Sequence, residues 1–297
     1  MTEDYHIPVL LKETINGLVI KEGKKYIDAT VGGGGHTEEI LKRGGKVLGI
    51  DCDPEAIEHV KESIKYKVSS IKYDLTLVRG NFVHLKEISK KVEFEKAAGI
   101  LFDLGVSSHQ LETENRGFSF NTDAPLDMRM DPILSVTAAD LVNGLNEGEL
   151  YELFVKYSEE YHSRAIARAI VRARALKPIT TCNELAEIVV KARRRRRFDR
   201  AHPATRIFQA LRIAVNDELN NLRQALPQAV ELLEKGGRLV ILSFHSLEDR
   251  IVKNFFKDKA EKGILQILTK KPIRPDERET KANPRSRSAK LRIAEKL

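Results

Sequence analysis

The chain of 297 residues contains only two cysteines, Cys52 and Cys182. Two thiols exclude a disulfide framework and a cysteine-rich zinc site. No apolar run approaches the roughly 20 residues that a membrane-spanning helix needs. The first residues also lack the basic-then-apolar pattern of a secretion signal. We therefore expect a cytoplasmic protein with no membrane partner, large enough for one large or two medium domains.

The formal net charge of +8 is unevenly distributed along the chain. Two basic and nine acidic residues lie between Glu112 and Val155, whereas Lys156–Leu211 holds fourteen basic and five acidic residues. Lys270–Leu297 holds ten basic and four acidic residues. Two segments with a basic excess indicate a polyanionic partner, for which nucleic acid is the leading candidate. The alternative is a solvated charged surface.

Apolar β-rich runs alternate with helical patterns at both ends of the chain. The predicted strands are Lys25–Val31, Val47–Asp51, Leu75–Gly80, Ala98–Leu104, Arg238–Phe244 and Lys290–Ala294. The predicted helices of these regions are Thr37–Arg43, Pro54–Tyr66, His84–Lys91, Thr205–Leu233 and Leu247–Phe256. This alternation is typical of a parallel α/β sheet. Between the two regions the patterns are helical, so we predict an all-helical domain at 112–211, inserted into a discontinuous domain of 1–111 and 212–297.

Four consecutive glycines, Gly32–Gly35, follow the first predicted strand, and Asp51 ends the second. This layout is typical of an adenosine-cofactor site, in which glycines admit close backbone approach and the acid binds ribose hydroxyls. A dinucleotide site needs G-x-G-x-x-G, but Thr37 or Glu38 occupies the third glycine position. S-adenosylmethionine has no phosphate, so the pattern favours it over NAD. An ordinary glycine-rich turn is the alternative.

Ligands bind doubly wound sheets at the carboxyl ends of their strands. Asp51, Asp103 and His245 occupy such ends, and Phe82 follows the third predicted strand. Asp103 is a candidate for contact with the amine that reacts. The alternative is that it caps a helix or forms a turn. His245 is a candidate for a supporting role in catalysis. The alternative is a strand-end histidine with satisfied hydrogen bonds. Phe82 is a candidate for packing on the adenine ring. The alternative is a core residue, which the sequence alone favours.

Arginines form two further patterns, one helical and one continuous. Arg164, Arg168 and Arg172 recur every four residues on one helix face, and a run of five arginines follows at Arg193, Arg194, Arg195, Arg196 and Arg197. Guanidinium groups in such an array can follow a phosphate backbone. The alternatives are a helix face paired with carboxylates such as Glu160, and a solvated loop.

Eight longer motifs make the chain recognisable. They are His6–Leu11, Gly34–His36, Asp103–Ser108, Arg116–Phe120, Pro125–Asp131, His202–Arg206, Ser243–Arg250 and Asn283–Ser288. Together they resemble the bacterial 16S rRNA cytosine-N4 methyltransferase family over nearly the whole chain. The departures are minor: Val31 stands where the family often has Phe, and Thr37 where it often has Ser.

The resemblance implies a Rossmann-like S-adenosylmethionine-dependent methyltransferase sheet, with the inserted helical domain recognising substrate. It implies cofactor contacts at seven residues, namely Gly34, Gly35, His36, Asp51, Phe82, Asp103 and Gln110. Asp103 and His245 are the predicted catalytic residues, and no metal is implied. The implied partner is 16S rRNA within the small ribosomal subunit, methylated on a cytidine of the decoding region.

Two other functions and one question of assembly stay open. A DNA amino-methyltransferase usually carries a Pro-Pro-Tyr or Pro-Pro-Phe motif after the fourth strand, where this chain has Leu104-Gly105-Val106. A ribosome-assembly factor without catalysis would keep the same cofactor fold. The sequence also leaves a homodimer open.

Overall fold

Seven strands and thirteen helices lie in the part of the chain that the computed structural model describes, residues 8–67, 74–120, 123–193 and 202–297. The strands are β1 (Lys25–Asp28), β2 (Lys46–Asp51), β3 (Leu75–Arg79), β4 (Ala97–Asp103), β5 (Leu233–Ser243), β6 (Leu265–Ile267) and β7 (Lys290–Lys296). The helices are α1 (Leu11–Leu18), α2 (Gly35–Lys42), α3 (Pro54–Lys67), α4 (Leu85–Lys91), α5 (Ser108–Glu112), α6 (Ala138–Gly144), α7 (Glu147–Ser158), α8 (Ser163–Arg174), α9 (Cys182–Arg193), α10 (Thr205–Val215), α11 (Glu218–Leu232), α12 (Ser246–Glu261) and α13 (Glu277–Ala282). Within the described ranges, every helix is too short or too polar to span a bilayer.

The chain divides into two compact units. The sheet unit comprises the described residues of Met1–Ser108 and Leu219–Leu297 and holds all seven strands. The helical unit is His109–Glu218. Helix α10 continues across residue 211, the end of the predicted insertion, and stops at Val215. The assignment of 112–211 as a substrate-recognition domain stays a prediction.

The strands form one sheet in the order β3-β2-β1-β4-β5-β7-β6. Strands β1 to β5 pair in parallel, and β7 runs antiparallel to both β5 and β6. The order reverses between β1 and β4, which is where ligands bind sheets of this class. The predicted Rossmann-like α/β fold is confirmed.

Apolar side chains on the two faces of the sheet form two separate cores. Ile27, Ile100 and Phe102 pack on one face with residues of α4, α11 and α12. Tyr26 and Leu101 pack on the other face with residues of α1, α2 and α3. Burial on both faces explains why the central strands are continuous apolar runs, as parallel sheets require.

Several elements differ from the sequence prediction: α1, α5, α13 and β6 were not predicted, and one predicted helix is divided. The predicted helix Thr205–Leu233 is two helices, because the chain breaks at Asn216 and Asp217, where Asp217 has a φ of 48°. The Asn216 amide donates to the Met128 carbonyl at 2.7 Å and its oxygen accepts from the Met130 N–H at 2.7 Å. Strand β6 was missed because its three residues are too few to show a period.

Arg129 organises the motif Pro125–Asp131 within the helical unit. Its guanidinium donates to both carboxylate oxygens of Asp127 at 2.7 Å, and to the carbonyls of Pro132 at 3.0 Å and Leu134 at 2.7 Å. Burial raises the pKa of Asp127, but the hydrogen bonds and charge of Arg129 outweigh it and hold that pKa below its usual range. The fork geometry is specific to arginine.

Arg129→Lys therefore lowers the stability of the helical unit, because one ammonium cannot replace four donors in fixed directions. We expect a loss of roughly 1–3 kcal/mol and a thermal midpoint several degrees lower. Arg168→Lys is the matched control, since Arg168 forms one exposed ion pair with Glu147 and such pairs contribute little. Equal midpoints for the two variants in calorimetry would show that the fork does not hold this motif.

Candidate active site

The loop from β1 to α2 uses its glycines in two ways. Gly32 and Gly34 have φ values of 50° and 79°, in the left-handed region that glycine tolerates best. A Cβ on Gly34 would lie 2.8 Å from Val60, and one on Gly35 would lie 2.9 Å from Pro8, so both are required for packing. A Cβ on Gly32 would meet no atom of the described residues closer than 4.0 Å. The backbone at Gly32 is therefore open to a ligand.

Asp51 closes the β1–α2 loop from the end of the neighbouring strand β2. Its Oδ2 accepts from the Gly32 N–H at 2.8 Å, and its Oδ1 accepts from the Asp53 N–H at 2.9 Å. Burial raises the pKa of Asp51 to about 6, although these hydrogen bonds favour the ionised form. A carboxylate held in this way is positioned for ribose hydroxyls.

Asp103 lies at the end of β4, and its side chain faces His36 of α2. The carboxylate Oδ2 is 3.5 Å from the His36 Nδ1, and the His36 Nε2 is 3.3 Å from the Val9 carbonyl. The Asp103 N–H donates to the Thr30 hydroxyl at 2.6 Å. Its Oδ1 is buried and has no hydrogen-bond partner among the described residues. Such an atom is costly unless a ligand satisfies it.

Burial raises the pKa of Asp103 well above its usual value, and the neighbouring charges of Asp28 and Glu248 raise it further. Asp28 is itself buried at the end of β1. Its oxygens accept from the Thr37 hydroxyl at 2.8 Å and the Thr30 N–H at 3.2 Å, while burial raises its pKa to about 6. These three carboxyl groups and Asp51 gather at one edge of the sheet.

Asp28 and Glu248 were missed as site residues in the sequence. Asp28 ends its strand as Asp51 and Asp103 do, so the strand-end rule applied to β1 identifies it. Glu248 is recognisable only as the third residue of a helix. Thr37, which stands where the family often has Ser, keeps the hydroxyl that bonds Asp28.

His245 is the N-cap residue of α12. Its Nδ1 accepts from the Glu248 N–H at 3.3 Å, and Glu248 accepts in return from the backbone N–H of Phe244 and of His245. This capping box stabilises the start of the helix. The side chain also lies at the end of β5, so its predicted catalytic role stays a prediction beside the structural one.

Phe82 and Gln110 lie in different units. Phe82 begins a short 3₁₀ turn after β3, and its ring meets Phe102 edge-on with centroids 5.6 Å apart. It is only partly buried, so it packs on the core and keeps an accessible surface. Gln110 is a buried residue of α5 in the helical unit. Their predicted cofactor contacts stay predictions.

The predicted RNA-binding arginines have different surroundings. Arg164, Arg168 and Arg172 are exposed on α8, opposite its buried residues Ile166 and Ile170. Arg164 lies over the Tyr151 ring at 4.8 Å, and Arg168 pairs with Glu147 at 3.4 Å. These contacts leave the α8 arginines on an open surface.

Arg193 lies 3.5 Å from buried Glu160, and its side chain is only 15% exposed. Glu160 also lies 3.7 Å from Arg206 rather than pairing with Arg164 as the sequence alternative had it. Arg193 therefore neutralises a buried acid, which leaves little of it for RNA. The remaining arginines of the run, Arg194–Arg197, lie outside the described residues, as do His6 and Ile7 of the first motif.

The sequence profile of the MraW methylase family matches residues 3–297. The chain belongs to this family. The match confirms the resemblance and the predicted methyltransferase activity, and with it the predicted methyl donor, S-adenosylmethionine. The chain is therefore an enzyme.

Several relatives of high identity carry the name ribosomal RNA small subunit methyltransferase H. The protein of that name from Dehalococcoides mccartyi is 48% identical over 100% of this chain and 88% of its own length. The one from Carboxydothermus hydrogenoformans is 46% identical over 98% of both chains. An rRNA methylase structure from Streptococcus thermophilus is only 13% identical, with a TM-score of 0.46 over 100% of this chain and 99% of that one. That likeness is too low to bear on function.

The residues of the site fit the methyl donor. Asp51 offers a carboxylate to ribose hydroxyls, the backbone at Gly32 is open, and the Oδ1 of Asp103 needs a donor or a cation. S-adenosylmethionine carries a positive sulfonium, which stabilises buried carboxylates whose pKa values burial has raised. The site thus presents both a hydrogen-bonding and an electrostatic match.

Asp51→Ala weakens cofactor binding, because it removes an ionised acceptor and releases the Gly32 N–H. The loss is about 1.5–3 kcal/mol, or roughly 10–100-fold in Kd by calorimetry. Asp53→Ala is the control: Asp53 caps α3 by accepting from the Glu55 N–H, so we expect reduced stability with nearly unchanged affinity. If a folded Asp51→Ala protein binds as tightly as wild type, Asp51 does not contact the cofactor.

Asp28→Asn stabilises the ligand-free protein more at neutral than at acidic pH. The folded pKa of about 6 exceeds the ordinary aspartate value of 3.8, so the native state binds more protons than the unfolded state between these values, and wild-type stability falls as pH rises through them. Asparagine removes that loss, worth roughly 2–3 kcal/mol at about 1.4 kcal/mol per pKa unit. Urea unfolding at pH 4 and pH 7 measures it, and equal effects at both values would contradict a raised pKa.

Proposed function

We propose that the protein methylates N4 of a cytidine in the decoding region of 16S rRNA, with the small ribosomal subunit as its substrate. The observation that carries the substrate is the identity of 43–48% with relatives named ribosomal RNA small subunit methyltransferase H. The acceptor atom and its position rest on the motif resemblance, and the strand-end acid Asp103 supports amine chemistry.

The cytosine amine is a poor nucleophile because its lone pair is delocalised into the ring. A bound S-adenosylmethionine would supply an electrophilic sulfonium methyl group. The N4–CH3 bond would form as the S–CH3 bond breaks, S-adenosylhomocysteine would leave, and one N4 proton would pass to an acceptor. An acceptor that holds an N4 hydrogen frees the lone pair, and correct placement of the base lowers the barrier further. The target base must also leave its stack to reach the site.

Asp103 has the properties that this acceptor needs. Its Oδ1 is buried and has no partner among the described residues, so it can accept an N4 hydrogen. Burial and the charges of Asp28 and Glu248 raise its pKa, which strengthens it as a base. The His36 Nδ1, 3.5 Å from Oδ2, holds the other oxygen in place. Asp103 therefore serves as the acceptor, and His36 positions it.

The exposed α8 arginines, Arg164, Arg168 and Arg172, contact phosphates of the RNA in this proposal. They are spaced one helical turn apart on a surface that the core of the helical unit leaves open. Contacts of this kind orient an RNA without reading its sequence. The helical unit thereby contributes to substrate recognition.

Asp103→Ala lowers both cofactor affinity and methyl transfer, because it removes the acceptor and a group facing the donor. The rate falls roughly 10²–10⁴-fold, the usual range for a lost acid or base. The measurement is single-turnover methylation of purified small subunits at saturating cofactor, with the product nucleoside identified. A near-normal rate would make Asp103 a structural residue, and methylation on C5 or the ribose would refute the proposed reaction.

His245→Asn is the control in the same assay. Asparagine is a good N-cap, so the variant keeps the start of α12 while removing the imidazole. Cofactor affinity is expected to stay unchanged. A lower rate in this folded variant would support the predicted catalytic role of His245, whereas an unchanged rate would assign it to capping alone.

A further inference from the structure

The chain between β6 and β7 lies at the edge of the sheet that carries the site. Lys290, at the start of β7, is the register partner of Ser243, the last residue of β5. Ile273 forms an isolated bridge with Leu291, one residue along β7. Because β7 runs antiparallel to β5, residues 274–289 lie at the carboxyl ends of the parallel strands, as Asp51 and Asp103 do.

This connection is fixed to the neighbourhood of His36. Glu279 of α13 accepts from the Leu10 N–H at 2.6 Å, and the carbonyl of the adjacent Val9 lies 3.3 Å from the His36 Nε2. Asp276 caps α13 by accepting from the Glu279 N–H at 2.8 Å. Ser286 is fully buried. The connection is thus part of the folded sheet unit, and hydrogen bonds at Leu10 and Val9 link it to His36.

We name residues 270–287 the basic segment, because they hold seven basic and three acidic residues. Six of its cationic side chains are exposed and form no ion pair with any residue in the described ranges: Lys270, Lys271, Arg274, Arg278, Lys281 and Arg287. Two of its three acids, Asp276 and Glu279, are engaged with backbone N–H groups. With seven basic and three acidic residues, the segment has a net charge of +4.

Exposed cations elsewhere in the sheet unit are often paired. Lys42 lies 2.7 Å from Glu38, Lys91 lies 2.9 Å from Glu87, and Lys86 lies 2.6 Å from Glu231. An ordinary solvated surface mixes charges in this way, whereas a row of unpaired cations repels itself and attracts a polyanion. No large apolar side chain of 270–287 is exposed, so the segment lacks an apolar anchor that would insert into a bilayer.

We propose that the basic segment binds the phosphate backbone of the RNA strand that leads to the target nucleotide. The inference rests on the proposed function for the identity of the polyanion, and it adds an RNA-binding surface on the sheet unit, which holds Asp51 and Asp103. Its exposed guanidinium and ammonium groups neutralise phosphates without reading bases. Its attachment through Glu279 and Leu10 fixes this surface relative to His36.

The test replaces three arginines of the segment together, Arg274→Gln, Arg278→Gln and Arg287→Gln. The matched control is Lys21→Gln, Lys90→Gln and Lys235→Gln. It removes the same charge from exposed residues that form no ion pair within the described part of the chain and lie near the amino ends of β1, β4 and β5. The probe is purified small ribosomal subunits from cells lacking the enzyme, titrated over a range of salt. Cofactor affinity by calorimetry and the thermal midpoint report on folding.

The Gln variant is expected to bind subunits about tenfold or more weakly at low salt. The log–log salt slope should fall by about two to three, since each phosphate contact contributes roughly 0.7–0.9. Replacing the same arginines by Lys should restore most of the slope because the charge is kept. The control variant should match wild type, and cofactor affinity should stay unchanged in all proteins.

Equal slopes and affinities for the Gln variant and the control would overturn the inference. A second result would also overturn it: the arginines, but not the control lysines, are needed for binding to vesicles of phosphatidylglycerol and phosphatidylcholine, and they are not needed for binding to subunits. The proposed function is judged separately by the methylated product. If wild type binds subunits through the segment but leaves N4 unmethylated, the proposed function is refuted and the RNA-binding surface is supported. If wild type methylates N4 but the Gln variant binds subunits as wild type does, the proposed function is supported and the surface is refuted.

Discussion

The parallel pairing of β1 with β4 is the constraint on which the site depends. It places Asp28 opposite Leu101, and the Ala29 N–H donates to the Leu101 carbonyl at 2.9 Å. The loop that follows β1 and the end of β4 are therefore neighbours, joined by the hydrogen bond from Asp103 to Thr30. Because both strands end at one edge between two apolar cores, their carboxyl groups are buried together and their pKa values rise.

Most of the sheet could be predicted from the sequence, because β1, β2, β4 and β5 lie in continuous apolar runs that alternate with helical patterns. Strand β6 could not, since its three residues gain their identity from pairing with β7. The break in Thr205–Leu233 was also hidden. Asn216 interrupts the helix through bonds to Met128 and Met130, which lie more than eighty residues earlier. Such long-range contacts leave no local pattern.

The candidate site, like the sheet, could be predicted from the sequence only in part. Strand-end acids are visible in sequence, and Asp51 and Asp103 were found in this way, whereas Asp28 was overlooked at the end of β1. The sequence could not show that neighbouring glycines have different roles. Gly34 and Gly35 make room for Val60 and Pro8, whereas Gly32 leaves space open. Nor could it show that Arg193 faces buried Glu160, because that pair depends on the packing of α9.

The clustered carboxyl groups also make the ligand-free site a reservoir of protons. Near neutral pH, Asp28 and Asp51, with pKa values of about 6, retain a fraction of their protons, and Asp103 retains more. A cationic donor that enters this edge favours the ionised forms. Binding therefore releases protons to solvent, so the heat of association depends on the ionisation enthalpy of the buffer, and donor affinity rises with pH across the range in which these acids titrate.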